Sequence, residues 1–223
     1  MKRSYNYIKL TILITSLLIL FFFPVRTTII RGIIILLIAM PLIYLIKNYW
    51  SKFYIGKALL TGTIILLIWG ITTFTLVPIN QKTFIQHVQS YENVPFVWGG
   101  ENSFGLDCSG LIRQSLLKTY LSQYRIGSAF QIWFIDCPAK HLSTKYSNIL
   151  REYKKAVLIK KVTNLNIPLG TLAVTTTGNH VLAYVGNNSW AQASPDDMKV
   201  TIKNYSENDP WFLKKVNMYE LSY

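Results

Sequence analysis

Three long apolar stretches near the start of the chain, separated by short segments whose only charges are basic, exclude a single water-soluble globule. They cover residues 7–23, 27–46 and 58–77. Residues 1–91 carry nine basic residues and no acid, whereas residues 92–223 carry the other 14 basic residues and all ten acids. The formal net charge of +13 therefore belongs mostly to the most apolar part of the chain. Basic residues flanking apolar stretches are the pattern of membrane helices rather than of a nucleic-acid surface. No basic run interleaved with aromatics and no zinc-ligand spacing is present, so nucleic acid is not an expected partner. With 51% hydrophobic and 15% charged residues, the chain is also too apolar to stay disordered.

A helix needs about 20 apolar residues to cross a bilayer, and the usual range begins near 17. All three stretches are read as transmembrane helices. Arg31 lies one turn into the second and is expected to reach the headgroups with its long side chain. Pro41 is expected to kink the same helix. "FFFPVRTT" offers no pair of small residues at cleavage spacing, so the first stretch is read as a retained anchor. Lys2, Arg3, Lys9, Lys47, Lys52 and Lys57 against Arg26 and Arg31 put the N-terminus and the second loop in the cytoplasm. Everything after Pro78 is then extracytoplasmic. No ionisable residue stands mid-span, so the helices are read as anchors in the lipid bilayer rather than as a transport path. The expected division is a membrane region over residues 1–78 and a soluble domain over residues 79–223.

About 140 residues suffice for one compact domain. "QKTFIQHVQSYEN" reads as a short helix, and "CSGLIRQSLLKTYL" as a longer one with apolar residues at helical spacing. "LSTKYSNILREYKK" reads as another helix. Short β-rich runs follow ("AVLIKKV", "GTLAVTT", "HVLAYVG", "SWAQAS", "KVTIKN", "FLKKVNMY"), broken by Gly, Asn, Asp and Pro. Helices followed by a meandering antiparallel sheet define an α+β domain.

Cys108 stands at the first turn of the strongest soluble helix. A helix start presents unpaired amides and positive potential, which favour a thiolate, the reactive form of cysteine. The alternative is a small buried residue at a helix start. A cysteine nucleophile needs a base, and His87, His141 and His180 are available. His180 opens the strand "HVLAYVG". A two-residue hairpin at Asn187-Asn188 would pair that strand with "SWAQAS" and bring Gln192 near His180. An amide oxygen there can accept the imidazole N–H and fix its tautomer. A satisfied sheet-edge histidine and a solvated glutamine are the alternatives. Cys137 lacks the glycine turn and the helix start, and a disulfide between it and Cys108 is not expected.

The whole pattern resembles the NlpC-type cell-wall cysteine peptidases, which are compact papain-like enzymes. "YENVPFVWGGENSFGLDCSGLI", "PLGTLAV" and "HVLAYVGNNSWAQAS" carry the match over about residues 81–196. The resemblance implies a papain-like α+β fold and a bacterial thiol protease; the three apolar stretches and their basic flanks, not the resemblance, put it in the inner membrane with its domain outside. Its substrate would be peptidoglycan stem peptides, cut at an amide bond of D-γ-glutamyl–diamino acid type. Cys108 would be the nucleophile, paired as a thiolate with protonated His180, and Gln192 the orienting residue. Asp107, Ser109, Phe96 and Trp98 would bind substrate. No metal or cofactor is implied. Phe96 stands where the family commonly has tyrosine, and the segment from about residue 123 to 166 is longer than expected and could cover the cleft. Two other readings use the same residues: a papain-like acyltransferase acting on lipids or membrane proteins, and a non-catalytic cell-wall-binding module.

Overall fold

A computed structural model describes residue 15 and residues 22–25, 27–49, 53–162 and 166–222. Residues 7–14 and 16–21, most of the first apolar stretch, lie outside the described residues. The second and third stretches form helices α1 (Thr28–Tyr49) and α2 (Phe53–Thr72). Among the described residues no helix is long and apolar enough to cross a membrane. The expectation of three transmembrane helices is thus not met by the described part of the chain.

Arg31 also departs from expectation. It is fully buried against protein rather than reaching for headgroups. Its Nη2 donates to both carboxylate oxygens of Glu101 at 2.7 Å, and its Nη1 donates to the carbonyl of Phe134 at 3.1 Å. The segment ahead of α1 is tied down too. Glu101 N donates to Pro24 O at 2.9 Å, Asn102 Nδ2 donates to Phe23 O at 3.0 Å, and Val25 bridges Gly100.

The rest is helices followed by an antiparallel sheet. Helix α3 (Gln81–Gln89) starts at Asn80, whose side chain accepts from Thr83 N, and it buries Phe84, Ile85 and Val88. A two-strand ribbon, β1 (Glu101–Asn102) with β2 (Gly105–Leu106), leads into helix α4 (Cys108–Ser122), and α5 (Ile126–Phe134) follows. The sheet contains β3 (Leu150–Leu158), β4 (Leu172–Thr175), β5 (Val181–Gly186), β6 (Ser189–Ser194), β7 (Lys199–Asn204) and β8 (Lys215–Leu221), in the order β3-β8-β4-β5-β6-β7. Only β4 to β7 form the expected meander. The last strand returns to lie between β3 and β4.

Strand periodicity explains why both faces of the sheet are covered. In β5, Val181, Ala183 and Val185 face a core shared with Ile112, Leu116 and Tyr120 of α4 and with Phe84 of α3. The alternate residues Leu182 and Tyr184 face a second core with Trp190, Phe212 and Met218. The run "LSTKYSNILREYKK" is not a helix throughout. It gives one helical turn, Leu142–Lys145, and then turns into β3. Arg151, Glu152 and Lys155 of β3 lie exposed along strand pairing with β8 instead of on a solvated helix face.

Candidate active site

Helix α4 begins at Cys108, and Asp107 caps it. Asp107 Oδ1 accepts from Gly110 N at 2.6 Å and from the Ser109 hydroxyl at 2.9 Å, while Oδ2 accepts from Gly99 N at 3.0 Å. An aspartate at this position satisfies amides that a helix start leaves unpaired. Glycine is required one turn on, because a Cβ at Gly110 would sit 2.0 Å from the carbonyl oxygen of Gly100. The turn "WGG" and the helix start therefore interlock, and they hold Cys108 at a fixed point on the edge of a cleft.

That cleft is a cavity of about 370 Å³. Phe96, Trp98, Asp107, Cys108, Ser109 and His180 all line it, so every expected site residue except Gln192 faces one space. Asp107 and Ser109 do so with their polar atoms already engaged at the helix start. Trp98 is largely exposed at the rim. Asp136, Pro138 and Ala139, from the segment expected to cover the cleft, supply one wall, and Val25 and Thr27 from the N-terminal segment supply another. Cys137 is fully buried beside this wall, and both cysteines are free thiols. Among the described residues no group of three His, Cys, Asp or Glu could hold a metal ion.

The expected hairpin delivers the histidine's partner. Asn187 and Asn188 both adopt positive φ, 50° and 58°, the left-handed pair that a tight two-residue turn demands. Across the β5–β6 pair, His180 and Gln192 meet with Nε2 and Oε1 2.8 Å apart. His180 is 2% exposed and Gln192 fully buried. Two residues that sequence reasoning missed complete the arrangement. Gln192 Nε2 donates to Asp209 Oδ2 at 2.8 Å. The Trp211 ring stacks on the imidazole at a centroid distance of 4.0 Å and an interplanar angle of 24°. Both lie in the turn-rich connection between β7 and β8, where no hydrophobic period marks them. The one available signal was "NDPW", an acid and a large aromatic in a proline turn. His87 and His141 do not line the cavity.

Burial decides the resting charge. Cys108 is half-buried, and its thiol is pushed up to about 12, first by burial and then by the Asp107 charge, against the backbone amides of Val181, Ser109 and Cys108 itself. His180 is pulled down to about 4 by burial, against its bond to Gln192 and the charges of Asp209 and Asp196. Both shifts favour the neutral thiol and the neutral imidazole over the ion pair. The helix-start amides act in the expected direction but are outweighed by desolvation.

A stability prediction follows. The unfolded chain protonates His180 near its ordinary 6.5, while the fold resists until about 4. Between those values the unfolded state binds more protons, so stability is full above about pH 6.5 and falls as the pH drops toward 4. The expected loss is about 3 kcal/mol. Thermal unfolding from pH 7 to pH 4 should show a shallower decline for His180→Gln than for wild type, and parallel curves would contradict this account.

The sequence profile described as the NlpC/P60 family matches residues 93–216, more than half of the chain. The chain belongs to the NlpC/P60 family. No curated protein sequence matches it. Similar solved structures include the peptidoglycan hydrolase RipB of Mycobacterium tuberculosis, at 21% identity and a TM-score of 0.41 over 64% of this chain and 65% of that one. An NlpC/P60 family protein from Bacillus cereus matches at 16% identity and a TM-score of 0.42, over 66% of this chain and 42% of that one. The P60 domain of an antigen from M. avium subspecies paratuberculosis matches at 19% identity and a TM-score of 0.41, over 70% and 99%. The chain thus spans less than two thirds of the length of the first two. The NlpC/P60 match begins well after α1 and α2, so Val25, Thr27 and Arg31 lie outside it.

Proposed function

We propose that this NlpC/P60 protein is a cysteine peptidase that hydrolyses an amide bond in peptidoglycan stem peptides, of the D-γ-glutamyl–diamino acid type. The observation that carries the reading is the meeting, in one cavity, of a thiol at a helix N-terminus and an imidazole oriented by a buried amide. Because Nε2 faces the Gln192 oxygen, it carries the proton and Nδ1 holds the lone pair. As the scissile carbonyl enters, the Cys108 S–H proton passes to His180 Nδ1 and sulfur bonds to the carbonyl carbon. The Cys108 backbone amide, at the helix start, is placed to donate to the developing oxyanion. His180 then protonates the leaving nitrogen as the C–N bond breaks. Water, giving its proton to His180, attacks the thioester and releases a carboxylate. Trp211 stacked on the ring keeps water from its buried face and favours the imidazolium formed on the way.

The same proposal places the catalytic domain, about residues 79–223, outside a bacterial inner membrane and the region over residues 1–78 at the bilayer. Exposed Leu36, Ile38, Met40 and Ile43 on α1 and Ile64 to Ile68 on α2, beside basic flanks, support an apolar contact with lipid. Digestion of purified muropeptides tests the reaction. Each cut is expected to release one new amine and one new carboxylate, located by mass spectrometry at the γ-glutamyl linkage. Transfer of the acyl group to an added amine in preference to water would instead favour the acyltransferase reading.

A further inference from the structure

Asp209 is 7% exposed, and its surroundings supply only donors. Gln192 Nε2 approaches Oδ2 at 2.8 Å, the Trp211 backbone N–H approaches Oδ1 at 3.0 Å, and Lys203 Nζ lies 3.6 Å from Oδ2. A carboxylate only accepts hydrogen bonds, so the Gln192 group facing it must be the NH₂. The Gln192 carbonyl oxygen then has to face His180, and an oxygen can only accept. The imidazole nitrogen opposite it, Nε2 at 2.8 Å, must therefore carry the hydrogen. A glutamine alone does not impose this order. Its two ends are nearly the same shape, and a turned amide would offer N–H to His180, move the ring proton to Nδ1 and remove the lone pair that the thiol needs.

We infer that Asp209 is a positioning residue that sets the tautomer of His180 through Gln192, by holding the Gln192 amide in one of its two orientations. The inference rests on the reading of Cys108 and His180 as the reacting pair. It gives this chain's glutamine what a carboxylate in its place would have by its own chemistry. It also explains a buried acid that touches neither the cavity nor the thiol.

Three variants test it in the full chain. Asp209→Asn keeps the shape but can donate as well as accept, so the Gln192 amide loses its fixed sense. Expected is a fall in kcat on muropeptides of about 10- to 100-fold with little change in KM, since the substrate contacts are untouched. Nitrogen-15 NMR of histidine-labelled protein reads the tautomer directly, with the His180 signals assigned by their loss in His180→Gln. Wild type is expected to show the proton on Nε2, and Asp209→Asn a substantial fraction with it on Nδ1. Adding Gln192→Glu to Asp209→Asn restores an acceptor opposite Nε2 whatever stands at 209, and should recover most of the lost kcat. A purely structural role for Asp209 would not be rescued this way. Wild-type kcat in a folded Asp209→Asn protein, or an unchanged tautomer in its NMR spectrum, would overturn the inference. Should wild type cleave no muropeptide, the proposed substrate fails, while the tautomer measurement still decides the role of Asp209.

Discussion

Cys108→Ala is expected to lower cleavage of stem peptides by at least about 10⁴-fold while the protein keeps its fold. The size follows from the chemistry. Removing the sulfur removes the acyl-enzyme path entirely, and the helix-start amide and the cleft that remain supply only binding and some stabilisation of charge. Stability should change little, because the side chain is half-buried at the cavity edge and the α4 cap is made by Asp107, not by Cys108. The other thiol provides the control. Cys137 is fully buried and does not line the cavity, so it can reach neither substrate nor a reagent in solution. Cys137→Ala should retain turnover. Iodoacetamide on the native protein should label Cys108 and spare Cys137. Unimpaired turnover in a folded Cys108→Ala protein would remove the enzymatic reading altogether.

What could be read from the sequence was local. "DCSG" spells a capped helix start with room for close backbone approach, and "GNNSW" spells a tight hairpin, so the positions of Cys108, His180 and Gln192 followed from short-range rules. Three things were not legible, each for a physical reason. Strand β8 lies between β3 and β4, a pairing set by long-range burial that leaves no mark within either strand. Asp209 acts from an irregular turn, where residue type carries no period. The shifts of Cys108 and His180 come from enclosure by Trp211 and the cleft walls, and desolvation is a property of the assembled fold rather than of a motif. The placement of Arg31 shows the opposite error. Apolar composition was clear, but Arg31 was assigned to lipid headgroups because its partner, Glu101, is 70 residues away.

That partnership predicts the largest stability effect in the molecule. Glu101 is 6% exposed and stands between Arg31, fully buried, and Arg113, 2% exposed. Arg113 is fixed further by the carbonyls of Ile132 and Ile135, each at 2.8 Å, and by Asp136 Oδ1 at 3.3 Å. Two guanidinium groups thus depend on one buried carboxylate. Glu101→Gln keeps the volume but, among the described residues, leaves Arg31 with no charged partner and Arg113 with only the exposed Asp136. Breaking a buried pair from one side costs about 3–5 kcal/mol, far more than an intact surface pair contributes. The loss should be local as well as global. Arg31 fastens the start of α1, and with it Val25 and Thr27, which wall the cavity. Trypsin is therefore expected to cut after Arg31 much faster in Glu101→Gln than in wild type, and KM for stem peptides should rise more than kcat falls. Adding Arg31→Met removes one of the stranded charges and should recover at least about 1 kcal/mol of the loss. A Glu101→Gln protein within about 1 kcal/mol of wild type, with Arg31 still protected, would mean that the N-terminal segment is not held by this charge cluster and that the cleft owes its wall to backbone pairing alone.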